Sequence, residues 1–547
     1  MGVVLAALGM HARALGHGFV DWDDDRFITN NPLFAAGGWT YVRAALTRVQ
    51  FEAYQPLWLL SYLPDRWLWP AHPAGFHAGN LVLFGLDIFF LFQLARRHAG
   101  PGPAALAVLL FAAHPICVEP VEWISGRKDL LAAAFFLGVL LVEDRRSIDD
   151  VRPFPPGLLL FVAAILSKTS ALCLPPLLFC WLLWLRPTGV RVAFWRALPY
   201  AVLALIPAIA VAAIWNRHKL IVARPIAAPI DVLATLATYA RRVVWPSDLA
   251  AIYPVEMPAA VISAVLLATL AVTAIALRRH LAPPARFALV AFFVALLPVS
   301  NIVPVNFRIT DRYALLALTV LVPPLAIGLK ALAARGVTSR RLAVGGAAIA
   351  FAALALVTQS LGATWASSRA LWAHATQLHP NAYMARIKYG EALVDLHDWP
   401  GARTEYQAAV RMLPINYFGY AGLFYVYARC AEEQGRIPAG TANRWRAAID
   451  AAQVRSSSFD ALIDQVPHAA CSECFDTLLL LRMRRWPRPD DVLRRSARAA
   501  LNAAMPDVAL ILLEGAVNHD APEWRSLFAE AAHAASDQTG APTTRND

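Results

Sequence analysis

The segment GLLLFVAAILSKTSALCLPPLLFCWLLWL, residues 157–185, decides how this chain is threaded. It is longer than the ~20 apolar residues of one membrane crossing. Ser167, Lys168 and Thr169 interrupt it at the middle, where polar groups are costly in lipid. Arg145 and Arg146 precede it; Arg186, Arg191 and Arg196 follow it. Lys and Arg are retained on the cytoplasmic side, so both ends face inward. The segment therefore crosses twice, as two short helices with Ser-Lys-Thr-Ser at the outer tip.

The same rule orders the rest of the chain. Basic clusters recur at Arg96-Arg97, Arg278-Arg279 and Arg335/Arg340/Arg341, with two apolar runs between each consecutive pair. The spans are roughly 1–18, 76–95, 104–118, 129–143, 157–167, 169–185, 197–215, 259–277, 284–300, 313–333 and 342–361. This gives about eleven transmembrane helices with the N-terminus inside. The outer loops are then about 19–75, 114–128, 216–258 and 300–312, and everything after about 362 lies outside. Residues 230–244, with Arg241 and Arg242, read as an interfacial helix. Composition agrees: 58% hydrophobic and 16% charged residues, with a mean hydropathy of +0.48, describe a polytopic membrane protein. The net charge of +11 is gathered in short clusters between apolar runs. It reads as membrane topology, not nucleic-acid binding. The first run, about 3–15, is short for a span and has no basic n-region or A-x-A-like site. No cleavable signal peptide is expected. Either the frame starts upstream of Met1 or the first helix is thin.

After Gly362 the long apolar runs stop and charged residues appear at helical spacing. In 383–414, Gly390, Ala402, Tyr406, Ala409 and Pro414 fall at positions 8, 20, 24, 27 and 32 of a tetratricopeptide unit, where small residues let two helices approach closely. The expected organisation is a membrane domain over 1–361, a TPR-like α-solenoid over 362–535, and a disordered tail over 536–547. Cys471 and Cys474 form one CxxC near His468, read as a local disulfide or two unpaired thiols ahead of zinc.

Ionisable groups collect beside the outer ends of the spans. The first outer loop holds Asp21, Asp23, Asp24, Asp25 and Tyr54, and the next helix opens with His77 and Asn80. The second supplies His114, Glu119, Glu122, Arg127, Lys128 and Asp129; the hairpin tip, Lys168; the late loop, Arg308, Asp311 and Arg312. Carboxylates can take a proton from a hydroxyl, and Arg and Lys can hold a phosphate. Each group also has a structural alternative. The aspartates can cap a helix, His77 can be a hydrogen-bonded helix residue, Arg127-Lys128 can anchor the membrane edge, and Arg312 can pair with Asp311. Their convergence on one face favours a site.

The ordered set FVDWDDDRFITNNP, YQPLWLLSY, GFHAGNLVLF, HPICVEPVEWISGRKDLLAAAFFL, SKTSALCLPPLLF and ITDRYALLAL, followed by a tetratricopeptide region, resembles the transmembrane and tetratricopeptide-repeat O-mannosyltransferase family and its bacterial relatives. These belong to the GT-C glycosyltransferase class. The resemblance implies an all-α GT-C-type bundle and a sugar donor linked to a polyprenyl phosphate. Transfer would occur on the extracytoplasmic face of a bacterial inner membrane, with the repeat region periplasmic. It maps the family's acidic pair onto Asp23 and Asp24, either of which would be the general base of a single inverting displacement, with Asp25 adjacent. Arg127, Lys168, Arg308 and Arg312 would stabilise the leaving phosphate, with Tyr54, His77, His114, Glu119, Glu122 and Lys128 around the substrate. No metal or other cofactor is favoured, although clustered Asp can hold a divalent ion. The chain departs from the family pattern at Gln55, where Arg is common, at Thr169, where Glu is common, and near Phe84, where His is common. The acceptor would be a protein or an envelope glycan or lipid. A non-catalytic membrane scaffold presenting the repeat domain is the alternative. A transporter would bury charges at mid-membrane, which the pattern does not suggest.

Overall fold

The computed structural model describes residues 1–49, 54–70, 72–147, 150, 155–217, 229–254, 280–302, 307–413, 416–452, 463, 466, 470–485, 497–498, 501, 510, 513 and 522–539. The described residues are helical, with no strand among them. The chain separates into two compact units, Met1–His379 and Pro380–Asp547.

In the first unit, four described helices are long and apolar enough to cross a membrane: Pro73–Ala99, Val190–Ile209, Asp311–Ala333 and Val337–Thr364. Pro101–Ala112 and Pro115–Glu122 form a bent apolar pair, broken by 61°, that is either one broken crossing or a re-entrant loop. Shorter apolar helices are Gly2–Gly16, Gly157–Ser167, Thr169–Trp184 and Pro283–Val299. This is an integral membrane protein. The crossing expected at 259–277 lies outside the described residues. Residues 157–185 do form two helices, parted at Lys168, whose backbone is extended (φ −159°, ψ 133°). The expected span 104–118 is corrected: its helix stops at Ala112 and the chain turns at His114-Pro115.

Turn chemistry sets several boundaries. Pro73 and Pro101 sit in first turns, where the missing N–H costs nothing. Between them Gly100, at φ +85°, reverses the chain. On Val337–Thr364, Leu342, Ile349 and Leu356 are each at least 70% exposed and seven residues apart. That spacing makes an unpartnered apolar stripe, the signature of a lipid-facing surface. The unit runs on through the helix Ser368–Leu378, whose Trp372 packs edge-on against Trp22 at 5.2 Å.

Helix Arg127–Arg145 is the ruler of this unit. Nineteen residues make it about 28 Å long, close to the hydrocarbon thickness of a bilayer. Charged groups gather at both of its ends, hereafter the Asp23 end and the Glu143 end. At the Glu143 end, Glu143 accepts from Arg146 (2.8 Å), Arg196 (2.8 Å) and the Tyr200 hydroxyl (2.8 Å). Asp144 accepts from Arg97 (2.6 Å) and Trp181 Nε1 (3.1 Å) and lies 3.1 Å from His98 Nε2. Tyr200 passes so close to Gly157 that a Cβ there would lie 2.3 Å from its hydroxyl.

The second unit opens with the helices Tyr383–Asp395, Trp399–Met412 and Tyr417–Glu433. Asp398 and Asn416 cap the latter two by accepting from Gly401 N and Gly419 N, 3.0 Å each. Gly390 and Gly422 both face the Tyr406 ring, at distances a side chain could not occupy. Cys471 and Cys474 are disulfide-bonded.

Candidate active site

The acidic stretch folds into a tight corner held against the segment after the bent apolar pair. Trp123 Nε1 donates to Trp22 O (2.7 Å). Asp24 Oδ1 accepts from Ser125 N (3.0 Å) and Ser125 Oγ (2.6 Å), and its Oδ2 from Val20 N (3.1 Å). Asp24 is therefore buried and engaged at both oxygens. Burial pushes its carboxyl up to about 7, against the downward pull of those donors. Asp24 caps no helix with its side chain; the cap in this loop is Asn31, which accepts from Leu33 N and Phe34 N.

Asp23 is different. Its backbone is left-handed, φ +73°, a region that non-glycine residues seldom enter. Its side chain is 29% exposed and 3.7 Å from the more exposed Arg26, a contact of little energetic weight. Asp25 is half-buried and opens the turn Asp25–Thr29.

Lys128 lies over Trp58 (4.3 Å to the ring centre), Trp123 (5.3 Å) and Phe27 (5.9 Å). Cation–π attraction to three rings holds the ammonium without a counter-charge. No hydrogen bond or ion pair joins it to any described residue. The strongest charge acting on it is that of Asp23, followed by Arg312, Lys168 and Asp129. Lys168 pairs with Asp129 and lies 5.0 Å over the Tyr313 ring. Arg312 pairs with Glu119, which also accepts from Arg312 N (2.9 Å). Arg312 stacks over Trp123 (4.8 Å) and Tyr313 (5.3 Å). Arg312 Nε and Asp129 Oδ2 are buried without a hydrogen-bond partner among the described residues. Asp23, Glu119, Lys128, Asp129, Lys168 and Arg312 thus form one cluster, contributed by segments far apart in sequence. It joins one half-exposed carboxylate to cations that keep unused donors, an arrangement able to hold an anion beside a base.

Several candidate residues have other tasks. Arg127 donates to Asn80 Oδ1 (2.7 Å), Ser61 O (2.9 Å) and Phe76 O (2.6 Å) and pairs with Asp65. It stitches the first loop to the bundle, with four of its five N–H donors used in doing so. Burial raises the Asp65 carboxyl, with Arg127 opposing. Glu122 turns into the bundle, 2.8 Å from His11 Nδ1 and 3.8 Å from His17 Nδ1. There Gly362 passes so closely that a Cβ would meet its carboxylate at 2.5 Å. His77 packs edge-on to His17 at 5.9 Å. His114 lies 2.9 Å from Val243 O and accepts from Ile116 N. Tyr54 donates to Leu46 O (2.9 Å), 38% exposed on the first loop. Arg308 pairs with Asp231. Asp311 does not pair with its neighbour Arg312: it takes Arg242 (3.1 Å) and the Tyr253 hydroxyl (2.8 Å). The second loop is also not a water-facing rim, because residues 115–127 are all buried. The sequence reading missed Ser125, Trp58, Trp123 and Tyr313. A Trp or Tyr adjoining each charged motif was the available signal for the rings; nothing distinguished Ser125.

Comparison with known proteins yields short matches. The chain is 38% identical over 101 residues to the protein O-mannosyl-transferase TMTC4 of Mus musculus, covering 16% of this chain and 14% of that protein. It is 33% identical over 153 residues to the protein O-mannosyl-transferase TMTC1 of Mus musculus, covering 26% and 16%. It is 31% identical over 150 residues to TMTC2 of Homo sapiens, covering 25% and 18%. The chain thus spans less than a fifth of the length of these relatives. No protein-family model matches it, and no solved structure does.

Proposed function

We propose that this relative of the TMTC protein O-mannosyl-transferases is a GT-C-type glycosyltransferase. It moves a sugar, mannose in the first instance, from a polyprenyl phosphate to a hydroxyl of a protein or envelope acceptor. The observation that carries the reading is the cluster at the Asp23 end, where a part-exposed carboxylate is the strongest charge acting on a lysine that makes no ion pair among the described residues. Such a place fits a lipid-linked phosphate, charged at the head and apolar in the tail.

In the proposed step Asp23 takes the proton of the acceptor hydroxyl as its oxygen attacks the anomeric carbon. The bond from that carbon to the phosphate oxygen breaks, the electron pair leaves with the phosphate, and the configuration inverts. Lys128, with Lys168 and Nε of Arg312, stabilises the departing anion. We assign no metal to this step, since both Asp24 oxygens face N–H and O–H donors. The site belongs to the extracytoplasmic side, with the N-terminus cytoplasmic and the second unit periplasmic in a bacterial inner membrane. The Cys471–Cys474 disulfide supports that sidedness, because disulfides persist in oxidising compartments. The second unit is read as a TPR-like solenoid, supported by the small residues around Tyr406, and as the acceptor- or partner-binding part.

The test supplies labelled undecaprenyl-phosphate-mannose to the purified full chain and follows release of undecaprenyl phosphate. Release that needs Asp23 is expected. Release by the Asp23→Asn and Asp24→Asn variants at the wild-type rate would remove the assignment of the base.

A further inference from the structure

Asp23 is the one non-glycine residue of the acidic corner in the left-handed region, and both of its neighbours are tied down. On one side the Trp22 carbonyl accepts from Trp123 Nε1 (2.7 Å). On the other, Asp24 is bound by Ser125 N and Ser125 Oγ (3.0 and 2.6 Å) and by Val20 N (3.1 Å). Trp22, Asp24, Trp123 and Ser125 are all buried. A backbone outlier persists only where its surroundings over-determine it, and such outliers gather at functional sites. The same Trp123 whose indole holds Trp22 also lies under Lys128 and Arg312. The anchors of the aspartate and the rest of the cation pocket are therefore one piece of structure.

We infer that Asp24 and Ser125 form a positioning clamp, which holds Asp23 in its left-handed conformation. The catalytic part of this inference rests on the function proposed above; the geometric part does not. Asp24 is then a positioning residue, and the acidic pair is divided between a base and its holder. Asn at 24 would keep the shape but turn an amide N–H₂ toward at least one donor. Ala at 125 would keep the backbone N–H bond and lose the hydroxyl bond.

The experiment compares the wild-type full chain with S125A, D24N and the double variant in lipid nanodiscs. Amide exchange by mass spectrometry is read over 20–26, and turnover is read with undecaprenyl-phosphate-mannose as the probe. Exchange over 20–26 is expected to rise about tenfold in S125A and further in D24N. Turnover number is expected to fall about 10- to 100-fold, as misplacement of a reacting group does, with KM for the lipid-linked sugar within about twofold. The double variant should match D24N alone, since both changes break one device. Unchanged exchange in both single variants would overturn the clamp. Raised exchange with full turnover would overturn its positioning role. Loss of turnover in D24N with neither raised exchange nor any effect of S125A would overturn it too, by making Asp24 the base. A wild-type chain that turns over nothing defeats the proposed function instead, and the exchange result then decides the clamp alone.

Discussion

The two ends of helix Arg127–Arg145 carry similar numbers of buried charges and treat them differently. At the Glu143 end the carboxylates are fully used: Glu143 takes two guanidiniums and a phenol, and Asp144 takes Arg97, His98 and Trp181. One nitrogen of Arg196 is the exception. At the Asp23 end, Lys128 rests on rings, and Arg312 Nε and Asp129 Oδ2 lack partners among the described residues. Buried charges cost several kcal/mol unless paired, so open valences at one end and closed ones at the other mark different uses. A closed network joins helices. An open one keeps capacity for a ligand that brings the missing charge.

This contrast can be broken in order of expected effect. Asp23→Asn should lower turnover by about 10²- to 10⁴-fold and leave the melting temperature within a degree or two. A large loss of stability would mean that the Asp23 end is structural as well. Arg196→Ala removes one of the two guanidiniums on buried Glu143 and should destabilise by about 1–3 kcal/mol, seen as lower yield and earlier thermal unfolding in detergent. Folded protein that survives should keep its turnover number. Lys128→Met keeps the stem over the rings and removes the charge; KM for the lipid-linked sugar should rise about tenfold or more, with stability unchanged or improved. The smallest effect sharpens the comparison through pH. Asp24 binds its proton up to about pH 7 in the folded chain, against 3.8 ordinarily. Between those values the folded state holds more protons, so stability falls as pH rises through the window. Asp24→Asn should flatten that slope in thermal unfolding measured from pH 4 to 7.

The apolar helices were legible because hydrophobicity is a local signal, and residues 157–185 show it: a polar break in an apolar run produced two helices. The union of Glu119, Lys128, Lys168 and Arg312 was legible as a set of costly charges at one membrane edge. Their individual tasks were not. Arg127 and Lys128 are adjacent, yet one helical step turns them by about 100°, one into a cage of carbonyls and the other over indoles. Glu119 and Glu122 share a single turn and part company, because the partner of Glu122 is His11 from the first helix. Asp23 and Asp24 read alike until Ser125, a hundred residues later, selects one of them. Pairings across such separations leave no periodic trace.

Helix Val337–Thr364 is only 17% buried over its apolar window. Its ties are concentrated near one end: Thr358 donates to Ala113 O (2.7 Å), Gln359 to Met10 O, and Gly362 closes on Glu122. A change in bilayer thickness acts on helix tilt at modest cost, and here tilt has a fixed pivot. The end near Arg340 is therefore expected to move more with lipid chain length than Trp365, whose ring lies 6.0 Å from that of Trp123. Spin labels at the two positions would register that difference between short- and long-chain bilayers.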